Sequence, residues 1–319
     1  MSPSARYPTV FVTSATGLQG NALCHQLRGI GWNVHGTTRD PHSPTAHSLR
    51  SMGVQLTTGG WDDEGALRTA LAGCDMLYLC LMIMPGFDFA QPPLWARRIA
   101  RIAVDAGVRH AVASTTLGVC LLEEGRSPPT PPGPIFTQYF QSHRGVEQAI
   151  EDGGFNYWTI LRPAFFMANF LEPKIHAFGI TELRDKGSWT TSMLPQSRLA
   201  LIDHVDIARS AVAAFRDPST FHGLHLVLAQ DELPVQEVLD QLSEAIGQGR
   251  DFRALYTLDE EIKRAQEEGS WTFFYSDACV RYMSDYTNKG KLENLVGGLN
   301  TFKQFLAREA YAVRKTYVG

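Results

Sequence analysis

Residues 9–20 read Thr9-Val10-Phe11-Val12-Thr13-Ser14-Ala15-Thr16-Gly17-Leu18-Gln19-Gly20. The first residues of this stretch, together with Pro8, form a short β-branched and aromatic segment that is typical of a buried strand. Apolar residues then recur at helical spacing, at Ala22, Leu23, Leu27 and Ile30. The stretch therefore predicts a strand, a tight turn that contains glycine, and a helix.

The same alternation of strand and helix continues along the first half of the chain. The pattern predicts helices at 46–52, 63–71, 94–106 and 136–150, and strands at 32–37, 54–57, 76–82, 111–114 and 157–161. Strands that alternate with helices of this length indicate βαβ units and a parallel sheet, and apolar strands with little alternation indicate a sheet covered on both faces. We predict an α/β fold with a Rossmann-type, doubly wound parallel sheet.

The chain of 319 residues is long enough for two domains, and the pattern changes after Arg162-Pro163. We expect a nucleotide-binding domain at residues 1–163, to which 200–228 return, and a smaller, discontinuous substrate domain at 164–199 and 229–319. Two long connections, at 84–93 and at the proline-rich segment 123–134, are expected to shape a site at the sheet edge, with a surface linker as the alternative for the second.

Composition and charge exclude several classes of protein. With 44% hydrophobic and 19% charged residues and a net charge of −4, the chain is neither disordered nor a basic nucleic-acid binder. It contains neither an apolar run long enough to span a membrane nor a secretory signal at its start. Its five cysteines form no CxxC pair, so we expect reduced thiols, a cytoplasmic location and no metal.

The turn after the first strand points to a dinucleotide. A parallel sheet binds such a ligand where its first strand leads into its first helix, because glycines let the backbone approach the pyrophosphate and the helix N-terminus attracts negative charge. The spacing Ser14-x-x-Gly17-x-x-Gly20 is GxxGxxG with serine at the first glycine. We assign Ser14, Gly17 and Gly20 to the cofactor, with their neighbours Thr16, Leu18 and Gln19.

Arg39 stands just past the second strand, where the ribose of the adenosine half is bound. An acidic residue there would accept a hydrogen bond from a free 2′-hydroxyl. An arginine suits a 2′-phosphate, because the contact is bidentate and charge-assisted. The sequence therefore favours NADP(H) over NAD(H), with a solvated surface arginine as the alternative.

Several motifs together resemble the NmrA-like group of atypical short-chain dehydrogenases/reductases. They are residues 12–20, then 59–63 (GGWDD) with 70–73 (ALAG), Val146-Glu147, 159–170 (TILRPAFFMANF) and 202–208 (IDHVDIA). The resemblance implies a Rossmann domain that binds NADP(H) and a small substrate domain. Some members of the group reduce carbonyls or double bonds, and others only sense the cofactor and regulate other proteins.

The resemblance also suggests further site residues. It places Gly60, Trp61, Leu81, Pro163 and Phe166 at the cofactor, with only a backbone contact from Gly60, where the family often has aspartate. Ser114 and Thr115 follow a strand at which the superfamily often places a hydroxyl that polarises a substrate oxygen. Hydroxyls at a strand end are also common turn formers.

The Tyr-x-x-x-Lys element of the superfamily is altered in this chain. His143 stands where related reductases often have lysine, Tyr139 precedes it by four residues, and no lysine occurs before Lys174. Tyr139 and His143 share one helix face, so they form either a substituted catalytic pair or a packing face. Histidine can move a proton near neutral pH, but it supplies no permanent positive charge.

Aromatic residues dominate the proposed substrate domain. We assign Met84, Phe165, Phe170, Trp271 and Phe274 to an apolar substrate pocket, with core packing as the alternative. Asp203, His204 and Asp206 resemble a metal cluster, but the match to the family indicates a structural helix start instead.

These features predict an enzyme of specialised metabolism that acts on a bulky, apolar, polycyclic small molecule. One version is hydride reduction of a carbonyl, an iminium or a C=C bond. The other is a redox-neutral cyclisation or rearrangement that keeps NADP bound and depends on substrate orientation. The alternative from a different class is a cofactor sensor without chemistry.

Overall fold

The computed structural model of the chain describes residues 7–83, 88–126, 135–177, 180–247, 249–258, 260–261, 264, 267–268 and 280–318. Its strands are β1 Thr9–Val12, β2 Asn33–Thr38, β3 Gln55–Thr58, β4 Met76–Leu79, β5 His110–Ser114, β6 Tyr157–Pro163, β7 Phe165–Phe166, β8 Ser188–Thr191, β9 Arg198–Ile202, β10 Leu224–Leu228, β11 Asp231–Pro234 and β12 Arg253–Tyr256.

Helices alternate with these strands in the first half of the described chain, and further helices occur throughout its second half. They are α1 Leu18–Gly29, α2 Pro44–Ser51, α3 Glu64–Leu71, α4 Gln91–Asp105, α5 Gly118–Glu123, α6 Ile135–Glu151, α7 Lys174–Ala177, α8 Thr181–Lys186, α9 His204–Arg216, α10 Pro218–Phe221, α11 Val235–Ile246, α12 Lys289–Val296, α13 Phe302–Arg308 and α14 Ala310–Tyr317. Two short 3₁₀ helices lie at Met167–Phe170 and Met283–Tyr286.

The central sheet of the described chain has seven strands in the order β10-β6-β5-β4-β1-β2-β3. The neighbours from β3 to β6 pair in parallel, with Val10 opposite Val34 on one side of β1 and opposite Met76 on the other. Every residue of β1 and β5 is buried, as expected of strands covered on both faces. The predicted Rossmann-type parallel sheet is therefore confirmed.

Strand order places a ligand-binding crevice at the carboxyl end of β1. From β1 the chain adds β2 and β3 on one side and then β4, β5 and β6 on the other side, and ligands of open α/β sheets bind where the strand order reverses in this way. The ends of β2, β3, β4 and β5 belong to the same edge because these strands are parallel. Residues that follow these strands are therefore the first candidates for a site.

Two sequence predictions about this edge need correction. The apolar run 76–82 predicts a strand up to Met82, but β4 ends at Leu79 because the Cys80 N–H donates to the Thr13 hydroxyl (2.7 Å) instead of pairing with a strand. The connection 84–93 is also shorter than predicted. Pro92 and Pro93 lie in the first turn of α4, where a missing N–H costs no helical hydrogen bond.

Contacts divide the chain into two compact units. The first unit comprises Met1–Thr116, Gln141–Arg162 and Ile207–Leu226, and the second comprises Leu117–Phe140, Pro163–Asp206 and Val227–Gly319. The sequence pattern assigned 117–140 to the first domain. In the structure Phe140 packs with Leu121 of α5, and its ring fills the space that a side chain at Gly118 would occupy.

Smaller sheets and aromatic packing build the second unit. A three-stranded sheet has the order β11-β9-β7, and β8 pairs in parallel with β12. Its core contains four phenylalanines that are almost completely shielded from solvent: Phe170, Phe252, Phe302 and Phe305. Helix α13 begins with a capping box between Thr301 and Gln304, which fixes the start of the C-terminal helices. Within the described ranges, none of the helices has the length and apolar character that crossing a bilayer requires.

Candidate functional site

The turn between β1 and α1 is held in an unusual backbone conformation. Ser14 has φ of 50°, in the left-handed region that glycine normally occupies. Its hydroxyl donates to the Cys80 carbonyl (2.7 Å), and its own carbonyl accepts from the Gly17 N–H (2.8 Å). The serine that replaces the first glycine therefore ties the turn to the end of β4.

Gly20 allows the first turn of α1 to lie against this turn. A Cβ atom at Gly20 would be 2.2 Å from the Ser14 carbonyl oxygen and 3.0 Å from the Ala15 Cα. Gly17 precedes the helix and no side chain caps the N–H groups of the first helical turn. Close backbone approach and uncapped N–H groups together make a cradle that fits a pyrophosphate, so the residues present fit a dinucleotide here.

Arg39 and Gly60 meet at the ends of β2 and β3. A Cβ atom at Gly60 would lie 3.9 Å from the Arg39 Cγ and Cδ atoms. The Arg39 side chain is exposed, and no acidic partner for it is found in the described part of the chain. It is thus available to a phosphate at this corner of the sheet. Leu81 is buried just past β4.

Trp61 extends this corner toward the start of α4. It is half-buried, and its ring centroid lies 5.5 Å from that of Trp95 in α4. Trp95 was not among the site residues predicted from the sequence. Its only sequence signal is its place within the first turns of the helix that follows β4.

Gln19 links the cofactor turn to the end of β5. Its Oε1 atom accepts from the Ser114 hydroxyl (2.7 Å) and from the Tyr78 hydroxyl (3.1 Å). Tyr78 is fully buried, and burial raises its pKa well above the usual range, so this hydroxyl keeps its proton. The structure thus brings two predicted site residues, Gln19 and Ser114, into direct contact, and it adds a buried tyrosine, Tyr78, that no motif indicated.

Thr115 belongs to a buried ionic network instead of an open site. Its hydroxyl donates to Glu147 Oε1 (2.7 Å). Arg162 donates to the same carboxylate from its Nε (3.0 Å) and Nη2 (2.8 Å) atoms. Glu147 and Arg162 are the charged residues of two motifs that carried the family resemblance. Their ion pair joins α6 to β6, and we assign Thr115 to positioning that pair.

Three acidic and histidine side chains near α6 lie close enough to hold a metal ion: Glu147, Glu151 and His225. Arg144 donates to both oxygens of Glu151 (2.8 and 2.9 Å), and His225 Nε2 lies 2.8 Å from Glu151 Oε1. With Arg162 on Glu147, two guanidinium groups already balance the two carboxylates. The cluster is a structural ion network.

Tyr139 and His143 both lie in α6, and the burial of each ring shifts its pKa away from neutrality. The pKa of Tyr139 is raised to about 12, and the pKa of His143 is lowered to about 3. At pH 7 the phenol is therefore protonated and the imidazole is neutral. Neither group has the pKa near 7 that suits a general acid.

Acid should destabilise the folded protein through its buried histidines. The pKa of His143 is about 3 and that of His110 about 4, both lowered by burial, whereas an unfolded histidine has about 6.5. As the pH falls below 6.5 the unfolded chain binds protons that the folded chain does not, so each histidine should cost about 2 kcal/mol of stability at pH 5. Urea unfolding between pH 7 and pH 4.5 measures this loss.

The matched variants for this prediction are His143→Gln and His25→Gln. His143→Gln should flatten the pH dependence of the unfolding free energy. The variant lacks a histidine that takes up a proton between pH 7 and pH 4.5 only when the chain is unfolded. His25 is exposed on α1, so its replacement should leave the dependence unchanged. Equal slopes for His143→Gln and the wild type would contradict the prediction.

The predicted residues of the second unit divide into surface and core. Phe165 and Phe166 are half-buried in β7, and Pro163 is buried and accepts from the Leu117 N–H (3.0 Å). Phe170 is completely buried, with its ring 5.7 Å from Trp189 and 5.5 Å from Phe302. Its assignment to the substrate pocket is therefore corrected to core packing. Met84, Trp271 and Phe274 lie outside the described residues.

The Asp203-His204-Val205-Asp206 segment has a structural role. Asp203 Oδ1 accepts from the Val205 N–H (3.1 Å) at the start of α9, and Arg308 forms an ion pair with the same carboxylate. Asn300 donates from its backbone to Asp206 (2.6 Å) and from its amide to both aspartates. Within the second unit the two aspartates therefore bind Asn300 and Arg308, and Asp203 caps the start of a helix, as the structural alternative predicted.

Comparisons with known proteins agree with this fold. The family model of the NmrA-like family matches residues 7–270. The (4-alkanoyl-5-oxo-2,5-dihydrofuran-3-yl)methyl phosphate reductase of Streptomyces griseus is 30% identical over 77% of each chain. The NAD(P)H azoreductase of Xenophilus azovorans is 27% identical over 94% of each chain.

Among solved structures, NmrA, described as a negative transcriptional regulator in complex with NAD, superposes with a TM-score of 0.71. It is 17% identical, and the match covers 94% of each chain. At this identity the likeness shows a shared fold. Because the family model covers most of the chain and a relative with 30% identity is matched over 77% of its length, the chain belongs to the NmrA-like family.

Proposed function

We propose that this protein is an NADP(H)-dependent reductase whose substrate accepts a hydride without needing a proton from the protein. The observation that carries the proposal is a cofactor cradle in a chain whose candidate acids, Tyr139 and His143, have pKa values far from 7. The altered tyrosine–lysine element supports a reaction without a proton donor from the protein. The shape of the turn at Ser14 and Gly20 supports the binding of NADP(H).

The cofactor half of the site rests on three features of the first unit. The N–H groups at the start of α1 and the close approach at Gly20 would hold the pyrophosphate, and Arg39 would hold the 2′-phosphate. NADP(H), when bound, supplies or accepts the hydride. The two curated relatives are named as reductases, one of them with NAD(P)H, which supports this assignment.

The protonation states favour particular substrates. Hydride addition to an isolated carbonyl leaves an alkoxide that needs an acid. Addition to an iminium carbon gives a neutral amine, and addition to a C=C bond conjugated with carbonyl groups gives an enolate that water can protonate. No lysine precedes Lys174, so α6 carries none to lower the pKa of Tyr139. An iminium or an activated C=C bond is therefore the proposed acceptor.

We further propose a bulky, apolar, polycyclic substrate from specialised metabolism. The half-buried rings of Phe165 and Phe166 support an apolar contact surface in the second unit. The relative from Streptomyces griseus is named for a substrate with an alkanoyl group and a ring carbonyl, which supports an electron-poor acceptor. Redox-neutral cyclisation with NADP kept bound is the second version of this proposal.

A cofactor sensor without chemistry is the alternative function. The likeness to a transcriptional regulator, NmrA, is the observation that favours it. A sensor would bind NADP(H) and NADP⁺ with different effects on a protein partner and would turn over no small molecule. Loss of the tyrosine–lysine element is compatible with that function as well.

Replacing Arg39 by alanine should weaken NADPH binding about 10- to 100-fold, because a charge-assisted contact to the 2′-phosphate is lost. NADH affinity should change less than about twofold, since NADH has no 2′-phosphate. Calorimetric titration with both nucleotides measures the difference. Arg216→Ala, at an exposed position that ends α9, is the matched control. Equal losses for the two nucleotides would refute the phosphate assignment.

The proposed reaction is tested with three acceptors built on one polycyclic skeleton: an iminium, an enone and an isolated ketone. Absorbance at about 340 nm follows NADPH, and mass spectrometry follows product. We expect oxidation of NADPH with the iminium or the enone, little with the ketone, and turnover that survives Tyr139→Phe. Preference for the ketone with loss of turnover in Tyr139→Phe would refute the acid-free proposal. Product formed at constant absorbance would establish the redox-neutral version.

A further inference from the structure

Two tryptophans stand together at the adenosine end of the site. Trp61 follows Gly60, the residue beside Arg39, and Trp95 lies within the first turns of α4. Their ring centroids are 5.5 Å apart and the planes are inclined by 57°. A tilted pair of this kind leaves part of each ring face uncovered by the other ring, unlike a parallel stack.

The helix that carries Trp95 is held firmly in this place. Pro92 and Pro93 occupy its first turn, and a Cβ atom at Gly145 of α6 would lie 2.8 Å from Pro93 Cγ, so the two helices touch there. Exposed ion pairs of Glu64 with Arg101 and of Arg68 with Asp105 run between α3 and α4. Trp95 is therefore positioned beside Trp61 by contacts along its own helix.

The surroundings of the pair are apolar and incompletely covered. Both indoles are half-buried, and Leu94, next to Trp95, is 47% exposed. Met82, which follows β4 at the same sheet edge, is 43% exposed. Apolar surface beside an exposed arginine suits a ligand with a flat, apolar ring attached to a phosphorylated sugar.

We propose that Trp61 and Trp95 form the surface on which the adenine ring of NADP(H) stacks, with Arg39 on the 2′-phosphate of the same nucleoside. This inference rests on the proposed cofactor function. The inference assigns the contact with adenine to the side chains of Trp61 and Trp95. Gly60 can offer the adenine only its backbone atoms. Base stacking on an aromatic side chain typically strengthens binding about tenfold or more, so each tryptophan should contribute measurably.

The test compares fragments of the nucleotide by calorimetric titration of the full chain. Adenosine 2′,5′-bisphosphate carries the adenine and the 2′-phosphate, and reduced nicotinamide mononucleotide carries neither. Trp95→Ala and Trp61→Ala should each weaken NADPH and adenosine 2′,5′-bisphosphate about tenfold and leave the mononucleotide unchanged. Trp95→Phe, which keeps a ring, should recover most of the affinity and also shows that the site still folds.

Trp158→Ala is the matched control, because this half-buried tryptophan lies at the amino end of β6 against His222 and His225. It should bind every probe as the wild type does. NADPH affinities within about twofold of the wild type in both alanine variants would overturn the stacking proposal alone. A wild-type protein that binds no NADPH would overturn the proposed function together with this inference.

Discussion

Replacing Glu147 by alanine should lower the free energy of unfolding by about 3–5 kcal/mol, the usual cost of breaking a buried ion pair on one side. Glu147 is fully buried and Arg162 nearly so. Without the carboxylate the buried guanidinium would lose this ion pair, and the Thr115 hydroxyl would keep only its longer hydrogen bond to the Leu161 carbonyl (3.4 Å). Urea unfolding followed by tryptophan fluorescence measures the change.

Two companion variants separate charge from packing. Glu64→Ala removes a solvent-accessible acid that pairs with Arg68 and Arg101, and it should cost far less than Glu147→Ala, because solvent screens an exposed ion pair. The double variant Glu147→Leu with Arg162→Met should recover much of the loss, because well-packed apolar residues often replace a buried pair without penalty. A loss below about 1 kcal/mol in Glu147→Ala would show that Arg162 finds another partner.

Replacing Gly20 by alanine should weaken NADPH binding about 5- to 150-fold, the range that corresponds to 1–3 kcal/mol of overpacking. The added methyl group would meet the Ser14 carbonyl oxygen at 2.2 Å and the Ser14 carbonyl carbon at 2.8 Å. Both are backbone atoms, so relief requires the turn to open and the helix N-terminus to move away from it. Calorimetric titration with NADPH measures the loss.

Gly29→Ala is the matched control within the same helix. A Cβ atom at Gly29 would have no neighbour within 4 Å, so the substitution should leave binding unchanged and stabilise the helix by up to about 1 kcal/mol. Unchanged NADPH affinity in Gly20→Ala would show that the nucleotide does not use this turn. Lost stability with unchanged affinity would give Gly20 a purely structural role.

Patterns along the chain predicted the sheet because its elements are local. Buried strands, helical spacing and the glycines of the first turn depend on residues within a few positions of one another, and βαβ order limits the topology. The boundaries failed where a distant group intervened. β4 stops at Leu79 because the side chain of Thr13, the residue just past the neighbouring strand β1, binds the backbone of Cys80.

The candidate site was predicted in part. Ser14, Gly17, Gly20, Arg39, Gly60 and Trp61 lie together at one edge of the first unit, and their roles at the cofactor stay predictions. Thr115 and Phe170 looked equally suitable from the sequence. The sequence does not show whether a hydroxyl or an aromatic ring faces a ligand or the protein interior. The hydrogen bond of Thr115 to Glu147 and the contact of Phe170 with Phe302 decide this in the structure.

The sequence by itself determined the class of fold, the position of the glycine-containing turn after the first strand, the arginine just past the second strand and the absence of lysine before Lys174. Only the tertiary structure decided where the Ser14 hydroxyl points, that Glu147 pairs with Arg162, and that Trp61 meets Trp95. The physical reason is distance along the chain. Spacing encodes neighbours within one element, whereas these contacts join elements that the pattern of residues does not bring together.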